Sequence, residues 1–264
     1  MTYLQQIETS AIQTETHADA MLRLIRSLRQ VSDVQRELDL LAELTAVNRP
    51  TVVSFVNAHA FNLASRNTDF CDVLLGSDVL LRDGIGLEIA RKVFGDAPGL
   101  NMNGTDFIPK VIEAFHGRTA AIFGTRNPHL SRAVAEIEAE GVRVVASLDG
   151  FREVEEYVRL ARRHRPEVIL LAMGMPRQEQ VADRLAKTLG YPVVIINGGA
   201  IIDFIGGKVE RAPQIFRTLK AEWMFRLARE PRRLARRYLI GNAEFLSRVA
   251  LLRLSNRERR VSRA

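Results

Sequence analysis

The hydrophobic rhythm of the chain changes twice. Up to about residue 48, apolar positions recur at helical spacing in "MLRLIRSLRQ" and "VQRELDLLAELTAV" among polar neighbours, which predicts amphipathic helices. Pro50 disfavours helix in the residue before it, so a boundary is expected there. From 49 to 207, short continuous Val/Ile/Leu runs alternate with helical patterns. The runs "TVVSFV", "DVLL", "VLLR", "TAAIFG", "VRVVAS", "EVILLAM" and "PVVIING" are predicted strands. Most are separated by predicted helices: "AHAFNLASRN", "GIGLEIARKVFG", "DFIPKVIEAFHG", "PHLSRAVAEIEAEG", "VEEYVRLARRHR" and "PRQEQVADRLAKTLG". Unbroken apolar strands between helices of about 10–15 residues imply βαβ units and an α/β fold with a mostly parallel sheet. From residue 208 the pattern is helical again. Phe216, Leu219, Trp223 and Leu227 share one helix face. Pro231 starts a second helix, with Leu234, Tyr238, Phe245, Val249 and Leu252 as its apolar side. The expected organisation is a helical N-terminal extension (1–48), an α/β catalytic domain (49–207) and a helical C-terminal appendage (208–264).

Composition supports a large core, since 47% of the 264 residues are hydrophobic. No apolar run reaches the ~18–20 residues of a transmembrane helix, and the polar start has no signal-peptide pattern. The single cysteine, Cys71, excludes an internal disulfide and reads as a small buried residue. A cytoplasmic location is the expectation. Charge is unevenly spread. Residues 208–264 hold sixteen Lys and Arg against five Asp and Glu, net +11, whereas residues 1–207 are net −4. A basic tail on a mildly acidic body points to an anionic partner: a membrane surface, a nucleic acid or a phosphorylated ligand.

In an open parallel sheet, ligands gather beyond the carboxyl ends of the strands. "NAH" (57–59), "RDGIG" (82–86), "GTRN" (124–127), "GMPRQE" (174–179) and "NGGAIIDF" (197–204) fall at such ends. Their glycines, Gly84, Gly124, Gly174, Gly198 and Gly199 among them, allow close backbone approach, and helix N-termini there suit phosphate. Asp83 reads either as an N-cap of the next helix or as a general base, with Gly84 and Gly86 leaving room for substrate. Gln178 and Glu179 read either as a solvated first turn or, for Gln178, as a hydrogen-bond donor facing the cleft. Thr105 suits an N-cap; Asp106 could reach solvent or ligand, and Asp203 could cap or bind a ribose or base. His59 and His116 read as structural or solvated. The dinucleotide fingerprint, the P-loop lysine motif and an Asp-x-Asp pair are all absent from the sequence, so neither a cofactor nor a metal is expected.

Taken in order, "VNAHAFNLA", "LLRDGIGLEIA", "NGTDF", "LLAMGMPRQE", "GGAIIDFIGGKVERAP" and "AEWMFRLAREPRRLARRYL" resemble the WecG/TagA/CpsF glycosyltransferases of bacterial surface-polysaccharide and wall-polymer assembly. The resemblance covers roughly residues 50–240. It implies a Rossmann-like fold and an inverting, metal-independent transfer of a hexose or N-acetylhexosamine. The donor would be a UDP-sugar and the acceptor a sugar on a polyprenyl diphosphate. It makes Asp83 the base and Gln178 a second catalytic residue, with Asn57 in the first motif. It makes Arg226, Arg233 and Arg236 the cations of an appendage that closes the site and brings the enzyme to the inner face of the membrane. Three departures stand out: Arg177 replaces a usual lysine, Phe55 beside Ser54 a frequent threonine, and Asn101 stands near the place of a frequent arginine. Two rival readings are a nucleotide-binding oxidoreductase or other redox Rossmann protein, and a nucleic-acid binder using the basic tail. The transferase reading expects no nucleic acid and leaves a homo-oligomer open.

Overall fold

The computed structural model describes residues 16–209, 213, 216, 222–229 and 231–261. Six parallel strands form one sheet: β1 (Pro50–Val56), β2 (Val79–Arg82), β3 (Thr119–Gly124), β4 (Arg143–Asp149), β5 (Val168–Ala172) and β6 (Val193–Asn197). Their order is β2-β1-β6-β5-β3-β4. The chain starts at β1, one place in from the edge, steps out to the β2 edge, crosses to β3 and the β4 edge, and returns through β5 and β6 in the middle. The carboxyl ends of all six strands therefore lie on one side of the molecule. The α/β expectation with a mostly parallel sheet holds.

The inner strands are mostly apolar because helices cover both sheet faces. Val53, Phe55, Val194 and Ile196 point to one face, against α2 (Val34–Thr45), α6 (Gly104–Ala114), α7 (His129–Ala139) and α10 (Ile201–Ile205). Val52, Val193 and Ile195 point to the other, against α8 (Val154–His164) and α9 (Arg177–Thr188). A neighbouring cluster joins α1 (His17–Arg26), α3 (Ala58–Ala64), α4 (Thr68–Leu75) and α5 (Ile85–Phe94) to the C-terminal helix. Helices α1 and α2 are integral to this packing: Leu24, Ile25, Leu40 and Leu44 are core residues. Just after α1, Leu28 bridges Leu80 and the Arg29 N–H donates to Leu80 O, which covers the exposed edge of β2.

One predicted strand is absent. "DVLL" (72–75) is the end of α4, which Asn67 starts by accepting the Phe70 N–H at 3.0 Å. Phe70, Cys71 and Leu74 then face the core at helical spacing. A four-residue apolar run fits either element, and packing decided it.

The tail follows as α11 (Glu222–Arg229), α12 (Pro231–Ala235), a π-helical turn (Arg236–Ile240) and α13 (Gly241–Val261). Leu234, Phe245 and Val249 are buried, as their spacing predicts. Phe245 meets Phe61 edge-on at 5.1 Å. Asn62 Nδ2 donates to Gly241 O at 2.6 Å, Arg248 donates to Asn62 Oδ1 at 3.1 Å, and Arg66, just past α3, pairs with Glu244. These contacts fasten α13 to α3. Leu219 and the side chains of Trp223, Arg226, Arg233 and Arg236 lie outside the described residues.

Candidate active site

A cleft of about 920 Å³ opens over the carboxyl ends of the strands. Every site residue expected in the body of the chain borders it. Asn57, Asp83 and Gly84 line the part above β1 and β2, with Thr105 and Asp106 beside them. Gly124, Gly174, Gln178, Gly198, Gly199 and Asp203 line the part above β3, β5 and β6. Tyr238 and Asn242 of the tail complete the wall, so the appendage borders the site.

Asp83 follows β2 directly. Its N–H donates to Val56 O at 2.9 Å, and one carboxylate oxygen accepts from Asn57 Nδ2 at 3.2 Å. Asn57 is itself anchored, because its Oδ1 caps α3 through the Ala60 N–H at 3.0 Å. The capping reading of Asp83 is corrected: the N-cap of α5 is Gly84, and no side chain caps that helix. Gly84 has φ +86°, a conformation that turns the chain out of the strand and that glycine adopts without strain. Its N–H donates to Asn101 Oδ1 at 2.7 Å, which gives a function to the asparagine standing near the family's frequent arginine. Gly86 also borders the cleft. A side chain there would meet Phe245 and Ala58 at 3.3 Å, so the glycine also makes room for the docked tail helix.

Arg82 was not singled out in the sequence. It is buried, and its guanidinium donates to Gly84 O at 3.0 Å, Pro98 O at 3.1 Å and Gly99 O at 3.0 Å, with Glu88 3.6 Å away. Burial pushes its pKa down while the nearby carboxylates of Glu88 and Asp83 oppose that shift. It locks the turn that presents Asp83.

Capping of α6 is also reassigned, from Thr105 to Asn103. Asn103 Oδ1 accepts the Asp106 N–H at 3.0 Å, and its Nδ2 donates to Asp106 Oδ2 at 2.7 Å. Thr105 is left in the first turn, bordering the cleft.

Across the cleft, Gln178 and Glu179 do not form a solvated turn. Both are buried, Glu179 at 1% exposure. Gln178 Oε1 accepts the Gly199 N–H at 3.0 Å and its Nε2 donates to Glu179 Oε1 at 2.9 Å. Burial raises the Glu179 pKa to about 7, opposed by the Gln178 hydrogen bond. Arg177 donates to the carbonyls of Gly150 and Arg152. A guanidinium fork can span two carbonyls in this way, which distinguishes it from the family's usual lysine. The loop it holds carries Phe151, 65% exposed at the rim, with the Arg126 guanidinium 4.1 Å above its ring. Gly124 has a steric cause: a Cβ there would lie 2.7 Å from that of Ala172. Lys208 Nζ sits 3.0 Å from Asp203 Oδ1 and 3.4 Å from Thr125 Oγ1, on the wall above β3 and β6. His59 borders the cleft, whereas His116 lies outside it with Nδ1 3.1 Å from Glu140 O.

Among the described residues, no three His, Cys, Asp or Glu side chains stand together as a metal-binding group. The site combines carboxylates on the cleft wall, Asp83, Asp106 and Asp203 among them, with a lysine and a set of glycine turns. That arrangement suits proton removal next to a phosphorylated ligand.

Comparison with known proteins decides the class. The profile of the glycosyl transferase WecG/TagA/CpsF family matches residues 25–259. The chain belongs to that family. It is similar to the N-acetylglucosaminyldiphosphoundecaprenol N-acetyl-beta-D-mannosaminyltransferase of Bacillus subtilis (strain 168), 27% identical over 187 residues, covering 68% of this chain and 72% of the relative. The protein of the same name from Bacillus spizizenii (strain ATCC 23059 / NRRL B-14472 / W23) is 25% identical over 178 residues, covering 64% and 68%. This WecG/TagA/CpsF protein is therefore a glycosyltransferase, which sets aside the oxidoreductase reading. The match begins at the very end of α1, so the family's shared sequence takes in α2 ahead of β1.

Proposed function

We propose that this glycosyltransferase moves a hexose or N-acetylhexosamine from a UDP-sugar, with inversion and without a metal, to a sugar carried on a polyprenyl diphosphate. The relatives' names support the acceptor class, since both act on N-acetylglucosaminyldiphosphoundecaprenol. The single observation that carries the chemistry is the Asp83 carboxylate, placed in the cleft and spent on no helix cap.

The acceptor hydroxyl attacks C1 of the donor sugar from the face opposite UDP. The new O–C1 bond forms as the bond from C1 to the diphosphate oxygen breaks, and Asp83 takes the hydroxyl proton. A positioned base of this kind contributes about 10²–10⁴ in rate. The Asn57 amide orients the carboxylate. Lys208 and the tail arginines Arg226, Arg233 and Arg236 are the cations proposed to stabilise the departing diphosphate.

The tail also serves as a peripheral anchor on the cytoplasmic face of the cell membrane. It exposes Met224, Leu239, Ile240, Leu246, Leu251 and Leu254 among its arginines, the composition of an interfacial helix. No helix among the described residues is long and apolar enough to cross a membrane. Co-sedimentation with anionic vesicles checks this: the Leu239→Glu/Ile240→Glu double variant is expected to bind several-fold more weakly, and unchanged binding refutes the anchor.

The transfer itself is tested by screening UDP-sugars against polyprenyl-diphosphate-linked mono- and disaccharides, read by mass spectrometry, with Asp83→Asn as the control. Product formed by the wild type and lost in the variant supports the proposal. Wild-type turnover by Asp83→Asn removes the base.

A further inference from the structure

Glu179 plays no part in the transfer chemistry, yet it is a buried acid directly behind the cleft wall. It is the third residue of α9, and its Oε2 has no hydrogen-bond partner. Its Oε1 begins a short relay: Gln178 Nε2 donates to it at 2.9 Å, and Gln178 Oε1 accepts from the Gly199 N–H at 3.0 Å. Gly199 belongs to the Gly198–Gly199–Ala200 turn, which borders the cleft. On the other side of the turn, the Gly198 N–H donates to Leu171 O at 2.7 Å.

A primary amide has two orientations, related by a half-turn and nearly equal in shape. With Nε2 toward Glu179, Gln178 presents an oxygen to Gly199. After the half-turn, the Gly199 N–H would face an NH2 group and the Gln178 oxygen would face the Glu179 oxygen. With an apolar residue at 179, only the Gly199 N–H would still favour the first orientation, and Nε2 would lose the acceptor it has in Glu179. The Glu179 carboxyl reinforces that orientation, because its Oε1 accepts from Nε2 at 2.9 Å.

We propose that Glu179 is a positioning residue: together with the Gly199 N–H it holds the Gln178 amide in one orientation and thereby keeps the 198–200 turn in the shape that receives the donor nucleotide. The last step rests on reading the cleft as a UDP-sugar site, whereas the relay to Gly199 does not.

The test compares Glu179→Gln, which keeps a carbonyl acceptor, with Glu179→Met, which has similar length and none. Hydrogen exchange at the Gly199 amide is followed by NMR in the full chain, and UDP affinity is measured by calorimetry. Loss of a buried hydrogen bond corresponds to about tenfold or more in each readout. Glu179→Met is expected to show that change in both, while Glu179→Gln stays within about threefold of wild type. Wild-type protection of Gly199 in the Met variant overturns the inference, as does equal loss in both variants. Wild-type protein that fails to bind UDP overturns the functional reading, and exchange at Gly199 still decides the relay. Glu179→Leu carries the same comparison if methionine prevents folding.

Discussion

The β2–α5 and β5–α9 turns start alike and end differently. Each leaves a strand through a glycine with positive φ, Gly84 at +86° and Gly174 at +79°. Each brings an acid to the start of a helix. In the first, Asp83 precedes the helix, is half-exposed, and stands in the cleft with Asn57 as its partner. In the second, Glu179 lies within the first turn of α9, on the face packed into the body, where burial lifts its pKa to about 7. Placement by a few residues relative to the helix start separates an acid that can take a substrate's proton from one that orients a neighbouring amide.

The contrast can be broken from either side. The largest effect is expected at Asp83. Asp83→Asn should lower kcat by about 10²–10⁴-fold with an unchanged melting temperature, because the carboxylate supports no helix. A large loss of stability would show that both acids are structural.

Glu179 should behave the opposite way, with its effect on stability. Its folded pKa lies above that of the unfolded chain, so between the two values the folded state holds a proton that the unfolded state has released. Stability contributed by this group is present below about pH 4.5 and falls as pH rises to about 7, by roughly 3 kcal/mol in all. Thermal melting at a series of pH values should show that decline in the wild type and a flatter profile in Glu179→Gln. Identical profiles would mean the acid is not buried in solution.

The smallest effect sharpens the comparison at the partner of Asp83. Asn57→Ala removes the α3 cap, costing about 1 kcal/mol, and frees the Asp83 carboxylate to rotate. Chemical denaturation should register the first change, and a lowered kcat the second. Asn57→Asp keeps a capping oxygen and sets two carboxylates against each other, so it should recover stability without recovering turnover.

Much of the site was legible because its signals are local. Glycines at strand ends, Asn57 before a helix and Asp83 at the end of "VLLR" mark the cleft by strand-to-helix spacing alone, and the residues named from them line one cavity. Errors arose where two local readings compete. Asn103 and Thr105 are both capping residue types, and geometry chose Asn103. "DVLL" suits a strand or a helix until Phe70, Cys71 and Leu74 find the core.

The sequence by itself determined the parallel α/β class, the buried face of the tail from Leu234 to Val249, and the strand ends where ligands collect. Each follows from side-chain periodicity, which the backbone of one element imposes. Tertiary structure alone decided the strand order, the fit of Phe245 against Gly86, the three carbonyls held by Arg82 and the relay from Glu179 to Gly199. Those depend on residues distant in the chain meeting where water is excluded, and the orientation of a polar group there is set by the neighbours that satisfy it.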